Sequence, residues 1–134
     1  MSNSIATGVA YADPEFTTCY ATGEIGYSAL AQTAVTQLSS KSTGVTANTS
    51  AGQITMNGAS LAAATNVTFT LTNSLLSSKD VIIVNVASAN ATAGAYNVWV
   101  SSMLTGSATI TLRNITAGPL LEAVVINFAI IHAT

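Results

Sequence analysis

The sequence predicts an all-β fold, an antiparallel β-sandwich of the jelly-roll type. Apolar and hydroxyl-bearing residues alternate with period two through most of the chain, which is the spacing of a half-buried strand. Serine and threonine together make up 35 of the 134 residues, and threonine favours strands over helices. Turn-forming residues recur every ten to fifteen positions, a rhythm typical of sandwiches and jelly rolls.

Two segments give the clearest strand patterns. In residues 67–72 the alternation is unbroken, so three apolar side chains face one way and three threonines face the other. Residues 108–113 repeat this alternation between the turn residues Gly106 and Asn114. Both segments are predicted to be strands with one face in the core and one in solvent.

Three further segments are predicted as strands. Residues 81–84 are continuously apolar and β-branched, a pattern typical of a strand that is buried on both faces. Residues 96–100 alternate in a way that places Trp99 on the face opposite Tyr96. In residues 123–131 both faces are largely apolar, which predicts a long central strand.

The first part of the chain gives weaker patterns. The apolar residues of 44–46 and 53–57 flank the polar stretch 48–52, which predicts a hairpin with a longer loop. Residues 28–38 combine near-helical spacing of Ala and Leu with a Thr-Ala-Val-Thr run, and a strand is favoured over a helix. Residues 1–26 are rich in Thr and Gly and predict an extended arm or peripheral layer.

The scarcity of charge excludes several classes of partner. Only 6% of residues are charged, against about 25% in an average globular protein. The three bases, Lys41, Lys79 and Arg113, cannot form a stripe that neutralises several phosphates or attracts anionic lipid. The apolar run 123–131 is half the length that a membrane-spanning helix needs. We therefore expect neither a nucleic acid nor a membrane as a partner.

Candidate catalytic and metal-binding residues are few. His132 is the single histidine and Cys19 the single cysteine, so the chain lacks the ligand set of a zinc site and an internal disulfide. His132 is predicted to end a strand at the surface or in an interface. Cys19 has no basic neighbour in the sequence to activate its thiol, and it is predicted to be a small packing residue.

The carboxylates are equally sparse. Residues 13–15, Asp-Pro-Glu, bring two carboxylates close together, but a solvated turn explains them better than a glycosidase pair. Asp80 is predicted to cap a turn or to pair with Lys79. The sequence therefore predicts no catalytic residues, no metal site and no cofactor.

The aromatic residues offer one alternative function. Trp99 and the four tyrosines could form a surface on which sugar rings stack, and the tyrosines are Tyr11, Tyr20, Tyr27 and Tyr96. Trp99 is the best candidate because it lies out of phase with the apolar residues around it. The same face could equally belong to the core or to a subunit contact.

The composition also predicts self-association. Natural sheets usually protect their edges with lysine, proline or a covering element, and this chain has two lysines and two prolines in all. A domain this small cannot bury its surplus of hydrophobic residues alone. We therefore expect a homo-oligomer or a subunit that is laid on a larger lattice.

Six short motifs, in this order and spacing, resemble a β module of tailed-phage virion proteins. They are TQLSSKSTGVT at 36–46, GQITMN at 52–57, FTLTNS at 69–74, DVIIVN at 80–85, AGAY at 93–96 and RNITAG at 113–118. The resemblance covers about residues 22–131. In this family the module occurs as short capsid decoration (cement) proteins and as a terminal domain of longer, fibre-like proteins.

The resemblance implies a non-enzymatic structural protein, a homotrimer that binds the major capsid protein on the shell exterior and stabilises the expanded head. A short chain with no fibre shaft before the module favours a decoration protein. The alternative is a receptor-binding, glycan-recognising tip domain of a tail fibre. Residues 22–134 are predicted to form the sandwich and residues 1–21 an arm, where attachment to a particular capsid is expected to be encoded.

Overall fold

The computed structural model describes residues 16–87 and 91–133, which form two four-stranded sheets packed face to face. A short 3-10 turn, Ala29–Ala31, precedes the first strand. The strands are β1 Gln32–Thr36, β2 Val45–Thr46, β3 Ala51–Thr55, β4 Asn66–Thr72, β5 Val81–Val86, β6 Tyr96–Leu104, β7 Ser107–Asn114 and β8 Val125–Ile131. The predicted all-β sandwich is confirmed.

Both sheets are mixed, which corrects the prediction of purely antiparallel pairing. The first sheet has the order β1-β3-β8-β5 and the second has the order β2-β4-β7-β6. The pairs β1–β3 and β2–β4 run parallel, whereas the other neighbours run antiparallel. The chain passes between the sheets at each step from β1 to β4, so strands two steps apart lie in the same sheet, where they pair in parallel.

The predicted hairpin between residues 44–46 and 53–57 is wrong, because these two segments lie in different sheets. Strand β2 pairs with β4 in the second sheet, whereas β3 pairs with β1 and β8 in the first. The connecting loop crosses between the sheets. Within this loop, the carbonyl of Thr49 accepts a hydrogen bond from Asn73 Nδ2 at 2.8 Å. A polar loop in the sequence shows where one strand ends and the next begins. It does not show that the two strands pair with each other.

The core lies between the sheets and is filled by alternate residues of the strands. Strand β8 lies inside the first sheet, as predicted for residues 123–131, and its inward side chains are buried. The fully buried apolar side chains are Ile54, Met56, Leu71, Ile110, Leu112, Val124, Ile126 and Ile130. Burial of one such side chain contributes about 1.5–3 kcal/mol, so these residues supply the main driving force for folding.

Strand β5 departs from its prediction. Residues 81–84 were expected to be buried on both faces, but β5 is an edge strand of the first sheet. Ile82 faces the core, whereas Val81 and Ile83 are exposed on the outer face of the sheet. The continuous run of β-branched residues therefore forms an apolar outer surface on β5. No other described part of the chain packs over it.

Local signals predicted the remaining elements well. Residues 28–38 contain the 3-10 turn and β1, so the strand favoured over a helix is confirmed. Strands β6 and β7 form a tight hairpin at Thr105 and Gly106, and Gly106 has φ +82°, which glycine adopts without strain. Residues 16–28 are exposed and form no helix or strand, while the predicted arm boundary at residue 21 stays a prediction.

Buried amide side chains hold the loops at the ends of the sandwich. Asn114 is fully buried, and its Nδ2 atom donates to the carbonyls of Leu61, Ala62 and Gly118 at 2.8–3.1 Å. Gln37, also buried, donates to the carbonyls of Lys41 and Thr43 and accepts from the amide of Asn57. These bonds satisfy loop carbonyls that would otherwise be buried without a partner. Asn114 Oδ1 also accepts hydrogen bonds from the amide and the hydroxyl of Thr116 within its own turn.

Gly52 is a position where the fold requires the absence of a side chain. A Cβ atom there would lie 2.4 Å from the carbonyl oxygen of Thr33 and 2.9 Å from the ring of Phe128. We expect Gly52→Ala to lower the free energy of unfolding by about 3 kcal/mol through overpacking, measured by urea denaturation. Gly118→Ala is the control, since a Cβ at Gly118 meets no atom within 4 Å. Equal stability of the two variants would contradict the packing described.

Candidate functional site

The outer face of the second sheet carries two neighbouring rows of threonine hydroxyls, which we call the hydroxyl face. Its threonines come from β4 and β7 and are Thr68, Thr70, Thr72, Thr109 and Thr111. The period-two alternation places them outside because their apolar neighbours fill the core. Thr70 lies opposite Thr109 and Thr68 opposite Thr111. The result is a two-strand grid of uncharged donors and acceptors.

Hydrogen bonds between the side chains order part of this face. The hydroxyls of Thr68 and Thr111 are 2.8 Å apart, and Thr111 also contacts the hydroxyl of Ser101 on β6. A register shift in β6 between Val100 and Ser102 brings Ser101 to this position. A bulge of this kind re-aims side chains at a sheet edge. Thr111 is buried by these neighbours, while Thr68 remains open to solvent.

Trp99 extends the hydroxyl face on β6. It lies directly opposite Thr111, on the face away from buried Tyr96, as the sequence predicts. Its side chain is 38% exposed, so part of the ring is available for contact. Asn97 and Arg113 form the next cross-strand pair. Arg113 is the one charged residue on the outer positions of the strands β2, β4, β6 and β7, so this face binds through shape, hydroxyls and an aromatic ring.

A second polar cluster surrounds Asp80. Its carboxylate accepts hydrogen bonds from the main-chain amides of Ser77 and Ala133, each at 2.9 Å. His132 Nδ1 lies 3.0 Å from Asp80 Oδ2. The two main-chain amides, with a smaller contribution from His132, lower the pKa of Asp80 to about 2. The predicted turn-capping role is confirmed, and the side chain within hydrogen-bond distance of the Asp80 carboxylate is that of His132 rather than that of Lys79, the predicted alternative.

A third cluster joins Lys41, Tyr96 and Glu122 at one end of the sandwich. Lys41 is buried, and its Nζ atom donates to the carbonyls of Asn57 and Glu122 at 2.6 and 2.5 Å. Burial lowers the pKa of Lys41, while the Glu122 carboxylate acts in the opposite direction. Lys41 therefore serves as a donor to two loop carbonyls, a role that sequence reasoning missed because lysine is usually exposed.

Tyr96 and Glu122 complete this cluster. Burial, followed by the neighbouring Glu122 carboxylate, raises the pKa of Tyr96. Hydrogen bonds from Thr92, followed by the effect of Tyr96, lower the pKa of Glu122. Tyr96 Oη and Glu122 Oε2 are both buried, and neither has a partner in good hydrogen-bond geometry. The two groups therefore act on one another through proximity rather than through a well-formed bond.

The remaining sequence candidates lie apart from these clusters. Residues 13–15 and Tyr11 lie outside the described residues. The prediction that Cys19 is a packing residue is wrong, because Cys19 is exposed. His132 directly follows β8 and is partly exposed, so its predicted place at the end of a strand is confirmed. Sequence spacing could not have joined it to Asp80, which is 52 positions away.

No family model, curated protein or solved structure matches this chain. Within residues 16–87 and 91–133, no group of three or more His, Cys, Asp or Glu side chains is placed to hold a metal ion. No helix in that part of the chain is long and apolar enough to cross a membrane.

The Asp80 cluster makes stability depend on pH. Because the pKa of Asp80 is about 2 in the folded protein against an ordinary value of 3.8, its contribution is complete above about pH 4 and is lost as the pH falls towards 2. We expect Asp80→Asn to lower the urea midpoint at pH 7, and the difference from wild type to shrink in the acid range. Glu24→Gln, at an exposed carboxylate, is the control. A difference that is constant from pH 7 to pH 2 would contradict this role.

Proposed function

We propose that this protein is a non-enzymatic capsid decoration protein of a tailed phage. It assembles as a homotrimer on the exterior of the virion, binds the major capsid protein and stabilises the expanded head. The observation that carries the proposal is the hydroxyl face, an outer sheet surface with ordered threonines and one charge. Such a face suits seating on another protein surface through many short, uncharged contacts.

The motif resemblance supports the same function. Several polar residues within the six motifs form the buried framework of the sandwich, and they are Gln37, Lys41, Asn73, Asp80 and Asn114. The motifs therefore contain residues that hold the loops in place, rather than turn residues that any sequence of this composition would contain. A likeness at such positions is more informative than a likeness at exposed ones.

The mechanism is thermodynamic. A protein that binds the expanded, assembled shell but not its unassembled subunits stabilises the shell by mass action. The stabilisation grows with the logarithm of the free protein concentration over the dissociation constant. A multivalent trimer adds to this effect, since its second and third contacts form at a high effective concentration.

The seating surface can be tested with expanded shells that lack the protein. We expect purified protein to occupy symmetry-related positions on these shells, counted by electron microscopy. Thr70→Lys places a charged side chain in the middle of the hydroxyl face and is expected to reduce the bound copies at least tenfold. Its thermal melting should match wild type, because Thr70 is exposed.

The control for this experiment is Ser60→Lys, which adds the same charge at an exposed loop position. It should bind shells as wild type does. Absence of binding by wild-type protein would overturn the proposed function. Normal binding by Thr70→Lys would move the seating surface away from the hydroxyl face and leave the decoration role intact.

A second candidate function is glycan recognition by a tail-fibre tip. Trp99 favours it, because an exposed indole beside Asn97 and Arg113 resembles a stacking platform for a sugar ring. This function predicts that host-surface glycans bind the isolated protein and that Trp99→Ala removes the binding. Tyr20→Ala, at an exposed tyrosine outside the strands, is the control. Glycan titrations that show no binding by wild type would exclude this candidate.

A further inference from the structure

Residues 16–26 expose apolar side chains that no other described residue of the chain covers. Phe16, Tyr20 and Ile25 are between 69% and 92% exposed. The segment carries one charge, Glu24. It joins the sandwich at Tyr27, whose hydroxyl donates to the carbonyl of Ile130 on β8. Large apolar side chains that are exposed together in this way mark a contact surface.

The outer face of the first sheet presents a matching apolar strip, formed by Val81, Ile83 and Ile131. Val81 lies directly opposite Ile131, and Ile83 lies opposite Ala129. The three large side chains of the strip are each between 53% and 55% exposed. They lie on neighbouring strands at the β5 edge of the sheet, where no further strand of the described chain pairs.

Beside the strip runs a row of side-chain amides. Gln53, Asn127 and Asn85 are directly opposite one another on β3, β8 and β5. Gln53 and Asn127 also line an open groove of about 520 Å³ together with Tyr27 and Gln32, and its lining contains no charged residue. The Oδ1 atom of Asn127 is buried and has no hydrogen-bond donor among residues 16–87 and 91–133. A buried acceptor without a donor is costly, and this one needs an N–H group.

We propose that residues 16–26 of one copy lie on the outer face of the first sheet of a second copy. The apolar side chains of the segment cover the strip, and its main-chain N–H groups donate to Asn127 Oδ1. Both surfaces are almost uncharged, so they match each other and do not suit an ionic partner. This inference names the subunit contact of the proposed homotrimer and rests on that part of the proposed function.

The segment is long enough for this contact. Eleven extended residues span about 36 Å, whereas a seven-residue strand such as β8 is about 23 Å long. A segment of one copy can therefore cross the whole sheet of its neighbour. Because the segment and the sheet face are different surfaces, the contact is head to tail, and such contacts close into rings when the rotation allows. A trimer is one such ring.

The native Cys19 lies within the segment and allows a direct test by cross-linking. One chain keeps Cys19, and the other carries Cys19→Ser with a new cysteine at Val81, Ile83 or Ile131 in turn. The two chains are refolded together and oxidised mildly. We expect an interchain disulfide dimer on a non-reducing gel for at least one strip position, since a disulfide requires Cα atoms within about 7 Å. Reductant should abolish the dimer.

Two controls separate this contact from random collision and from contact within one chain. Thr70→Cys with Cys19→Ser places the thiol on the opposite sheet and should give no dimer. A chain with both Cys19 and Ile83→Cys should form oligomeric bands. Equal cross-linking at Thr70, or only a monomeric intrachain product from the double-cysteine chain, would overturn the proposal.

Light scattering gives a second measurement that does not depend on cross-linking. Ile83→Lys should reduce the oligomer to single chains, while circular dichroism shows the sandwich intact. A stable oligomer in wild type with no dimer at any strip position would overturn the proposed contact and leave the homotrimer and shell binding standing. A monomeric wild-type protein would overturn the homotrimer as well.

Discussion

Buried side chains that hydrogen-bond to the main chain are the constraint on which this sandwich depends. With only 6% of residues charged, ion pairs can fasten few of the loops. Asn114, Asn73, Gln37 and Lys41 are buried instead. Asn114, Asn73 and Lys41 donate to carbonyl groups of loops that are distant in sequence, and Gln37 accepts a hydrogen bond from the distant amide of Asn57. Their bonds form in a medium of low dielectric constant, where they are stronger and where their loss is costly. The strands supply the core, and these residues fix the connections between strands.

The outer faces of both sheets carry few charges, but their uncharged side chains differ. On the second sheet, threonines keep the surface wettable and regular, with Trp99 beside them. On the first sheet, an apolar strip adjoins a row of amides. One face suits contact with a foreign protein surface and the other suits contact with a peptide segment. The two proposed contacts therefore lie on opposite faces of the sandwich and would not compete.

The sequence predicted what is local and failed at what is not. Strands β4, β6, β7 and β8 followed from side-chain alternation, and so did the placement of Trp99 on the face opposite Tyr96. The pairing of β2 with β4 did not follow, because it depends on a loop that crosses between the sheets. The exposure of Val81 and Ile83 was missed because apolar content does not distinguish a core from a surface. The contact of Asp80 with His132 joins turns far apart in sequence and had no local signal.

Contacts made through the hydroxyl face depend little on the salt concentration of the medium. Contacts between opposite charges are screened within about 8–10 Å at physiological ionic strength and weaken further in brine. Hydroxyls and an indole ring carry no net charge, so contacts made through Thr68, Thr70 and Trp99 have little to lose from added salt. If the proposed function is right, a protein coat bound through this face would stay bound from low to high salt concentration, whereas a coat held by ion pairs would dissociate.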